Sequence, residues 1–448
     1  MASGKRPPDS RSHTQLLTIS RAVRGVHETN TARDLNLVIE PEGTFFRLRV
    51  QTADPDLQKA FGDDLEHVIP LTASELWGLV QSCREVWRTA LVDHPEGKKY
   101  PFQEAWDFQQ RADLRQAVLP KLAEAGAKLF LALFFPRPPG NTEAYEGLRR
   151  IGRVLRQEMN RRTRWVKVTS DSFFVPWGMI YSDSLDLTGS NVRPEGFWGY
   201  QHLIEHSPPT AGSLAYELDN SGTGFEMALQ VDQAIDQDLQ VDCLASFLKF
   251  LSAFEGQSLV LHKRLTKSEL AKALRDSQAS DQVLFFCCHA LQEGDLTTPR
   301  IGQGYMILSD RSKDESAIRI TPADITYWMD MKDFGRHPLV FLNACGSGQL
   351  NSVFYQGFGK TFLGLRASSV IGAETELPAV FAGEFARRFF EAFFQGGEQN
   401  KIGTILFRLR REFLDRYNNP LGLIYSLYRG ADSYLEVGLS PRANTGEG

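Results

Sequence analysis

Two short runs constrain the fold of this chain more than anything else in its 448 residues. VLFFCC at 283–288 and LVFLN at 339–343 are apolar at almost every position, without polar alternation. A strand of that kind has no face for water. It needs cover on both sides, which a mostly parallel sheet between two helix layers provides. The neighbouring segments fit that scheme. Residues 225–231, 258–262 and 369–373 are expected as strands, and 241–254, 267–276, 357–366, 378–394 and 402–417 as helices. The predicted fold class is α/β, a mostly parallel sheet flanked by helices.

The first half reads as an α+β region that precedes this core and shows no chemistry of its own. Residues 1–30 are expected as a mobile tail with one short helix at 16–23, and 441–448 as a second tail. LNLVIEPEGTFFRLRV, from Asn36, predicts a hairpin turning at 41–43. Helical periodicity covers 72–91, 112–129 and 142–161. The run LFLALFF at 129–135 is a short buried strand or a helix end, and PRPPG at 136–140 is a break. Residues 165–169 and 176–181 are expected to be extended.

Composition closes off several classes. Lys and Arg total 50 against 55 Asp and Glu, a net charge of -5, which does not favour direct nucleic-acid binding. Five cysteines, irregularly spaced and without a CxxC pair, support neither a disulfide framework nor a thiolate zinc site. The opening MASGKRPPDSRSH has no apolar stretch, and no apolar run is long enough to span a membrane. The expectation is a cytoplasmic protein with no membrane contact. No repeat is visible.

In a parallel sheet, functional residues gather beyond the carboxyl ends of the strands. VLFFCC runs into His289, and LVFLN runs through Ala344 into Cys345, followed by Gly346, Ser347 and Gly348. A thiol needs a base to become a nucleophile, and an imidazole supplies one. Cys345 is the expected nucleophile and His289 the general base and acid. The backbone N–H groups of Ala290 and Cys345 are the expected oxyanion donors. Cys287 and Cys288, inside an apolar strand, are expected as inert core.

Other residues invite weaker readings. His262 ends a strand without a thiol or carboxylate partner in its own segment, and is expected to be structural or exposed. His202 and His206 have an i, i+4 spacing, but SPP follows at once and nothing completes a metal site. Phe381, Phe385, Phe389 and Phe393 mark a buried helix face, with Arg387 and Arg388 on its solvated side. GFGKT at 357–361 lacks phosphate-loop spacing. No metal or organic cofactor is expected.

FFCCHA and LVFLNACGSG together resemble the CHAT-domain peptidases, caspase-like cysteine peptidases of the clan of caspases and separase. The resemblance extends over LTKSELAKALRDS, GYMILSD, ITPADITYW and FGKTFLGLRASSVIGAETELP, and spans about 165–439. It implies a caspase-like peptidase domain at 165–440, its core sheet from about 215, and a regulatory or interaction region at 31–164. It also implies a pocket for the substrate side chain near Asp232 and Asn343, and Glu374 and Glu376 close the next strand at the same rim. Three carboxylates against one amide favour a basic residue before the scissile bond. His289-Ala290 replaces the family's usual His-Gly, and alanine tolerates positive φ poorly.

The function expected is a cysteine endopeptidase acting on a specific protein substrate, activated by a protein partner or complex, in a bacterial defence or cell-death pathway. The alternatives are an inactive caspase-like scaffold and a small-amide hydrolase. Segments 292–304 and 309–318 are candidate gating loops.

Overall fold

The computed structural model describes residues 26–28, 33–63, 65–137, 145–186, 191–208, 214–218, 224–256, 258–276, 280–292, 304–330, 332–343 and 352–442. Its strands in the first half are β1 (Val26–Glu28), β2 (Leu35–Glu42), β3 (Phe45–Gln51), β4 (Glu66–Ile69), β5 (Trp165–Thr169), β6 (Leu203–Ser207) and β7 (Leu214–Leu218). The second half contributes β8 (Phe225–Val231), β9 (Leu259–Arg264), β10 (Val283–Cys287), β11 (His289–Gln292), β12 (Gly304–Ile307) and β13 (Leu339–Leu342). It ends with β14 (Ser369–Ala373), β15 (Tyr425–Tyr428) and β16 (Tyr434–Leu435).

Eleven of these strands form one sheet, in the order β4-β3-β2-β5-β6-β15-β14-β13-β10-β8-β9. β9, β8, β10, β13 and β14 are mutually parallel. β15 reverses against β14, and β6, β5 and β2 then run parallel to β15. The sheet is therefore α/β and mostly parallel, as the sequence predicts, and it continues through the region before residue 165. The hairpin predicted at 36–51 is β2 and β3. The small strand β1 pairs with β7, so part of the expected N-terminal tail belongs to a second sheet.

Side chains alternate between the faces of a strand, and the apolar strands use both. Phe285 meets Phe247 of helix Leu244–Ser252, at a centroid distance of 4.6 Å, and Phe390 of helix Ala379–Phe393 at 5.8 Å. Its neighbour Phe286 points the other way, to Phe362 of helix Ser352–Gly364 at 5.6 Å. Phe381, Phe385, Phe389 and Phe393 are fully buried, and Phe385 stacks on Tyr425 at 3.8 Å. Arg388 departs from expectation. It is mostly buried, ion-paired with Glu384 and Glu412, and lies over Trp106 and Tyr417, because aromatic faces accept a guanidinium.

The helices start where the sequence caps them. Thr72 and Glu75 form a reciprocal capping box before helix Ala73–Leu91, and Thr266 with Glu269 does the same for helix Lys267–Arg275. Helix Ala112–Phe134 absorbs most of LFLALFF, which is a helix end rather than a strand. Of residues 176–181, expected to be extended, Ile180 is extended and Tyr181 bridges to Phe197, but the middle is not. Trp177–Met179 is a 3-10 turn that stacks Trp177 on Trp198 at 5.8 Å. Gly178 and Gly199 meet there so closely that a Cβ on Gly199 would lie 2.7 Å from the Gly178 carbonyl oxygen.

One ion pair ties the N-terminal helices to the core sheet. Arg84 of helix Ala73–Leu91 bonds the Glu374 carboxylate just beyond β14, with both side chains at most 4% exposed. Tyr428 of β15 donates to the other Glu374 oxygen at 3.0 Å. Removing one member leaves a buried charge without its partner, which typically costs about 3–5 kcal/mol, whereas replacing both with apolar residues can be neutral. Arg84→Ala and Glu374→Ala are each expected to lose stability on that scale in urea unfolding. The double change Arg84→Met with Glu374→Leu is expected to lose distinctly less than either.

Candidate functional site

The chain runs from β8 outward to β9, then returns to β10 on the other side of β8. At such a reversal the connections leave in opposite directions, and a crevice opens beyond the carboxyl ends of the two strands. The residues that follow β8 and β10 here are Asp232 and Cys288-His289.

Asp232 is fixed by the sheet itself. Its N–H donates to the Cys287 carbonyl at 2.9 Å, and its Oδ1 accepts from the Ala234 N–H at 3.1 Å. The short helix Ile235–Leu239 that follows carries Asp238. Ser309 closes the rim from outside, with Oγ accepting from the Gln233 N–H at 2.9 Å and donating to the Val231 carbonyl at 3.2 Å.

His289 opens β11, and its Nε2 lies 3.5 Å from Asp232 Oδ2 and 3.8 Å from Asp238 Oδ2. Asp232 is fully buried, whereas Asp238 is 49% exposed. Arg311 reaches the same pair, with Nη2 at 3.1 Å from each Asp232 oxygen and 3.5 Å from Asp238 Oδ2. Two carboxylates thus face one imidazole and one guanidinium. Cys288, fully buried beside Asp232, has its thiol pushed well above the usual range by burial and by that carboxylate. A thiol held in that form is no nucleophile at neutral pH.

β11 pairs with β12, so that Ala290 stands opposite Met306. Met306 spends both its N–H and its carbonyl on Ile320, at 2.8 and 2.9 Å, on its other side. Ala290 and Met306 are therefore a non-hydrogen-bonded pair, and the Ala290 N–H points away from β12. Ala290 is extended and not among the residues with positive φ, so alanine fits where the family usually has glycine.

Cys345 lies outside the described residues, as do most of segment 292–304 and the helix expected at 16–23. Asn343, two positions before Cys345, is 1% exposed. Its Nδ2 donates to the Ala382 carbonyl at 3.0 Å and its Oδ1 accepts from the Tyr425 hydroxyl at 2.6 Å. The amide is committed to the core beneath the rim. Glu374 is committed to Arg84 and Tyr428, and half-buried Glu376 is electrostatically coupled to Arg88. Of the four residues expected at the substrate pocket, Asp232 alone contacts His289. Sequence reasoning did not single out Asp238, Arg311 or Ser309. Asp238 and Arg311 belong to no quoted motif, Ser309 lies in GYMILSD, and Ser309 and Arg311 fall in the segment expected as a candidate gate.

His262 has the carboxylate partner its own segment lacks. Glu226 of β8 lies across the ladder, with its Oε2 3.0 Å from His262 Nε2 and accepting from Ser280 Oγ at 2.6 Å. Glu226, His262 and Asp281 hold potential metal-ligand atoms within 4.8 Å of one another, as do Asp232, Asp238 and His289. Cations of the protein already stand in both groups: Arg264 bonds Asp281 at 2.5 Å, and Arg311 bonds Asp232.

Residues 228–402 match the family model of the CHAT domain. The match falls on the strands and helices that build the crevice. A protein from Vitiosangium sp. (strain GDMCC 1.1324), named as a probable protease, is 25% identical over 248 residues, covering 52% of this chain and 29% of the relative. The chain thus spans less than a third of that relative's length. Among solved structures, two crystal structures of the Saccharomyces cerevisiae separase–securin complex align over 88% of this chain and 30% of theirs. Their identities are 11% and 12%, with TM-scores of 0.40 and 0.41. No helix among the described residues is long and apolar enough to cross a membrane.

His202 and His206 are not on one helix face. His202 follows the short helix Trp198–Gln201 and His206 lies within β6, both deeply buried. His202 Nδ1 accepts from the Arg164 N–H at 3.2 Å, and His206 Nε2 stands 3.2 Å from the Ser170 carbonyl. Burial pushes the first down to about 3, helped by Arg164, and the second down to about 4. Both are neutral when folded and take up a proton on unfolding near 6.5, so they stabilise the fold above that pH. That stability drains as pH falls towards 3–4, by about 2 kcal/mol from each between pH 7 and 5. Urea unfolding is expected to show this loss in the parent protein and a smaller one in His206→Gln.

Proposed function

We propose that the chain is a cysteine endopeptidase in which Cys345 is the nucleophile and His289 the general base and then acid. The observation that carries this is the register of the central strands. Each β10 residue pairs with the β13 residue 56 positions later (339 − 283 = 56), and His289 and Cys345 are separated by the same interval (345 − 289 = 56). In this reading the two chains keep that step as they leave the adjacent parallel strands at one rim, which is what would bring Cys345 to His289. The rim is the carboxyl edge of the sheet, beside the reversal between β8 and β10.

In this reading His289 takes the Cys345 proton, and the thiolate attacks the scissile carbonyl. The Ala290 and Cys345 N–H groups stabilise the oxyanion that forms. Collapse breaks the C–N bond, the departing amine takes the proton from His289, and a thioester remains. His289 then deprotonates a water that hydrolyses the thioester and restores the thiol. No metal or organic cofactor takes part. The substrate is one specific protein, and a protein partner or complex activates the enzyme, in a bacterial defence or cell-death pathway. The CHAT match and the probable protease relative support the chemical class. The region at 31–164 serves partner contact, and the peptidase unit occupies 165–440.

Peptide-library profiling of the purified chain, with activating partner where needed, tests the assignment. Cys345→Ala and His289→Ala are each expected to abolish cleavage, with the double variant hardly worse than either, because the two act as one unit. Cys288→Ala is expected to cleave at close to the parental rate. Cleavage persisting in Cys345→Ala would overturn the assignment.

A further inference from the structure

We propose that Arg311 is a built-in occupant of the crevice: its guanidinium fills the place of a substrate's basic side chain and holds the site closed until displaced. The inference rests on the peptidase reading for what the occupant blocks, and on geometry alone for the occupancy.

A carboxylate as buried as that of Asp232 must be neutralised by a charge that reaches it. The charge that does so is supplied from outside the sheet. The Arg311 side chain is 53% exposed, yet its Nη2 lies 3.1 Å from both Asp232 oxygens and 3.5 Å from Asp238. A half-exposed side chain that reaches a fully buried carboxylate has the geometry of a ligand side chain, not of a core residue.

The loop is fastened immediately before Arg311. The Ser309 N–H donates to the Leu265 carbonyl at 2.8 Å, and Asp310 Oδ2 accepts from the Lys267 N–H at 2.6 Å. Arg311 Nη1 donates to the carbonyls of Leu308 and Asp310 at 3.2 and 3.1 Å. The anchor fixes where the arginine begins, and the carboxylate pair fixes where it ends. His289 Nε2 lies 3.5 Å from the same Asp232 Oδ2 that Arg311 holds, so the occupant sits beside the proposed base.

A substrate cation that seats here replaces Arg311 on the same two carboxylates. An uncharged side chain offers them nothing in exchange. The crevice therefore admits a protein segment bearing arginine or lysine, and freeing the loop at 309–312 opens it.

Agmatine, a small alkylguanidinium, serves as the binding probe on the full chain by calorimetry. Close charge pairs of this kind are coupled strongly enough that Arg311→Gln is expected to bind agmatine about tenfold or more tighter than the parent. Asp232→Asn placed in the Arg311→Gln background is expected to abolish that gain. Should that double variant not fold, Asp238→Asn in the same background, on the exposed carboxylate, is expected to remove more than half of it. In peptide cleavage, Arg311→Gln is expected to lower KM about tenfold for a peptide with arginine before the scissile bond. The matched leucine peptide, which meets an opened crevice but pairs with neither carboxylate, is expected to gain distinctly less. Tightened agmatine binding in a chain that cleaves no peptide supports the occupancy and counts against the peptidase reading. Agmatine affinity unchanged in Arg311→Gln, or a gain that survives loss of the carboxylates, overturns the proposal.

Discussion

The side-by-side parallel pairing of β8, β10 and β13 is the constraint on which the rest of this molecule depends. Their side chains are buried on both faces, so no strand can slip by a residue without moving a phenylalanine into the wrong helix layer. Phe285 and Phe286 make this concrete, since each packs against helices on its own side. The register that burial enforces is also the register that brings the carboxyl ends of the strands level. Core packing and the alignment of the strand ends at the rim are thus one requirement.

The buried pairing of Arg84 with Glu374 plays the corresponding role between the two halves. Glu374 immediately follows β14, the next strand beyond β13, and its carboxylate is shared between a helix of the first half and Tyr428 of β15. A second buried group works in the same sense: Arg33 holds Glu205 of β6 at 2.9 Å and Asp432 at 2.8 Å. The backbone ladder makes the sheet continuous from β4 to β9, and these contacts brace it. A partner that docks on the N-terminal helices would press on the strand next to the one that leads to Cys345.

Where the sequence was legible, apolar pattern decided the matter. β8, β10, β13 and β14, the hairpin of β2 and β3, and most helices follow from runs and periods that the chain displays openly. β6 and β15 escaped for a physical reason. LIEHS buries Glu205 and His206, and hydrogen bonds and ion pairs compensate for that burial where apolar pattern would have revealed it. YSLY is only four residues long and follows a 3-10 turn. The same limit applies to the site. Asp232 and His289 were found because each ends a recognisable strand. Asp238 and Arg311 come from a short helix and an irregular loop, 73 positions apart (311 − 238 = 73), and only the folded rim joins them. Glu374 and Asn343 were placed correctly along the strands, but position at a strand end does not say whether a polar group faces the crevice or the core.

Asp232 explains why an internal cation is placed here at all. Its N–H belongs to the sheet, so the residue cannot move away, and its position beyond β8 leaves the carboxylate in the crevice with little water around it. An uncompensated carboxylate in such a place would be costly, and one N–H from Ala234 is too little to offset it. A site built to receive a cation must therefore carry one while it waits. Arg311 meets that need at low cost, because its side chain stays half in solvent and one nitrogen, Nη2, reaches both oxygens. A lysine in its place would lack the second nitrogen that bonds the Leu308 and Asp310 carbonyls and would hold the loop less firmly. On the proposed occupancy, selectivity and latency would share one origin: the carboxylate that needs neutralising at rest would also be the one that rewards an incoming basic side chain.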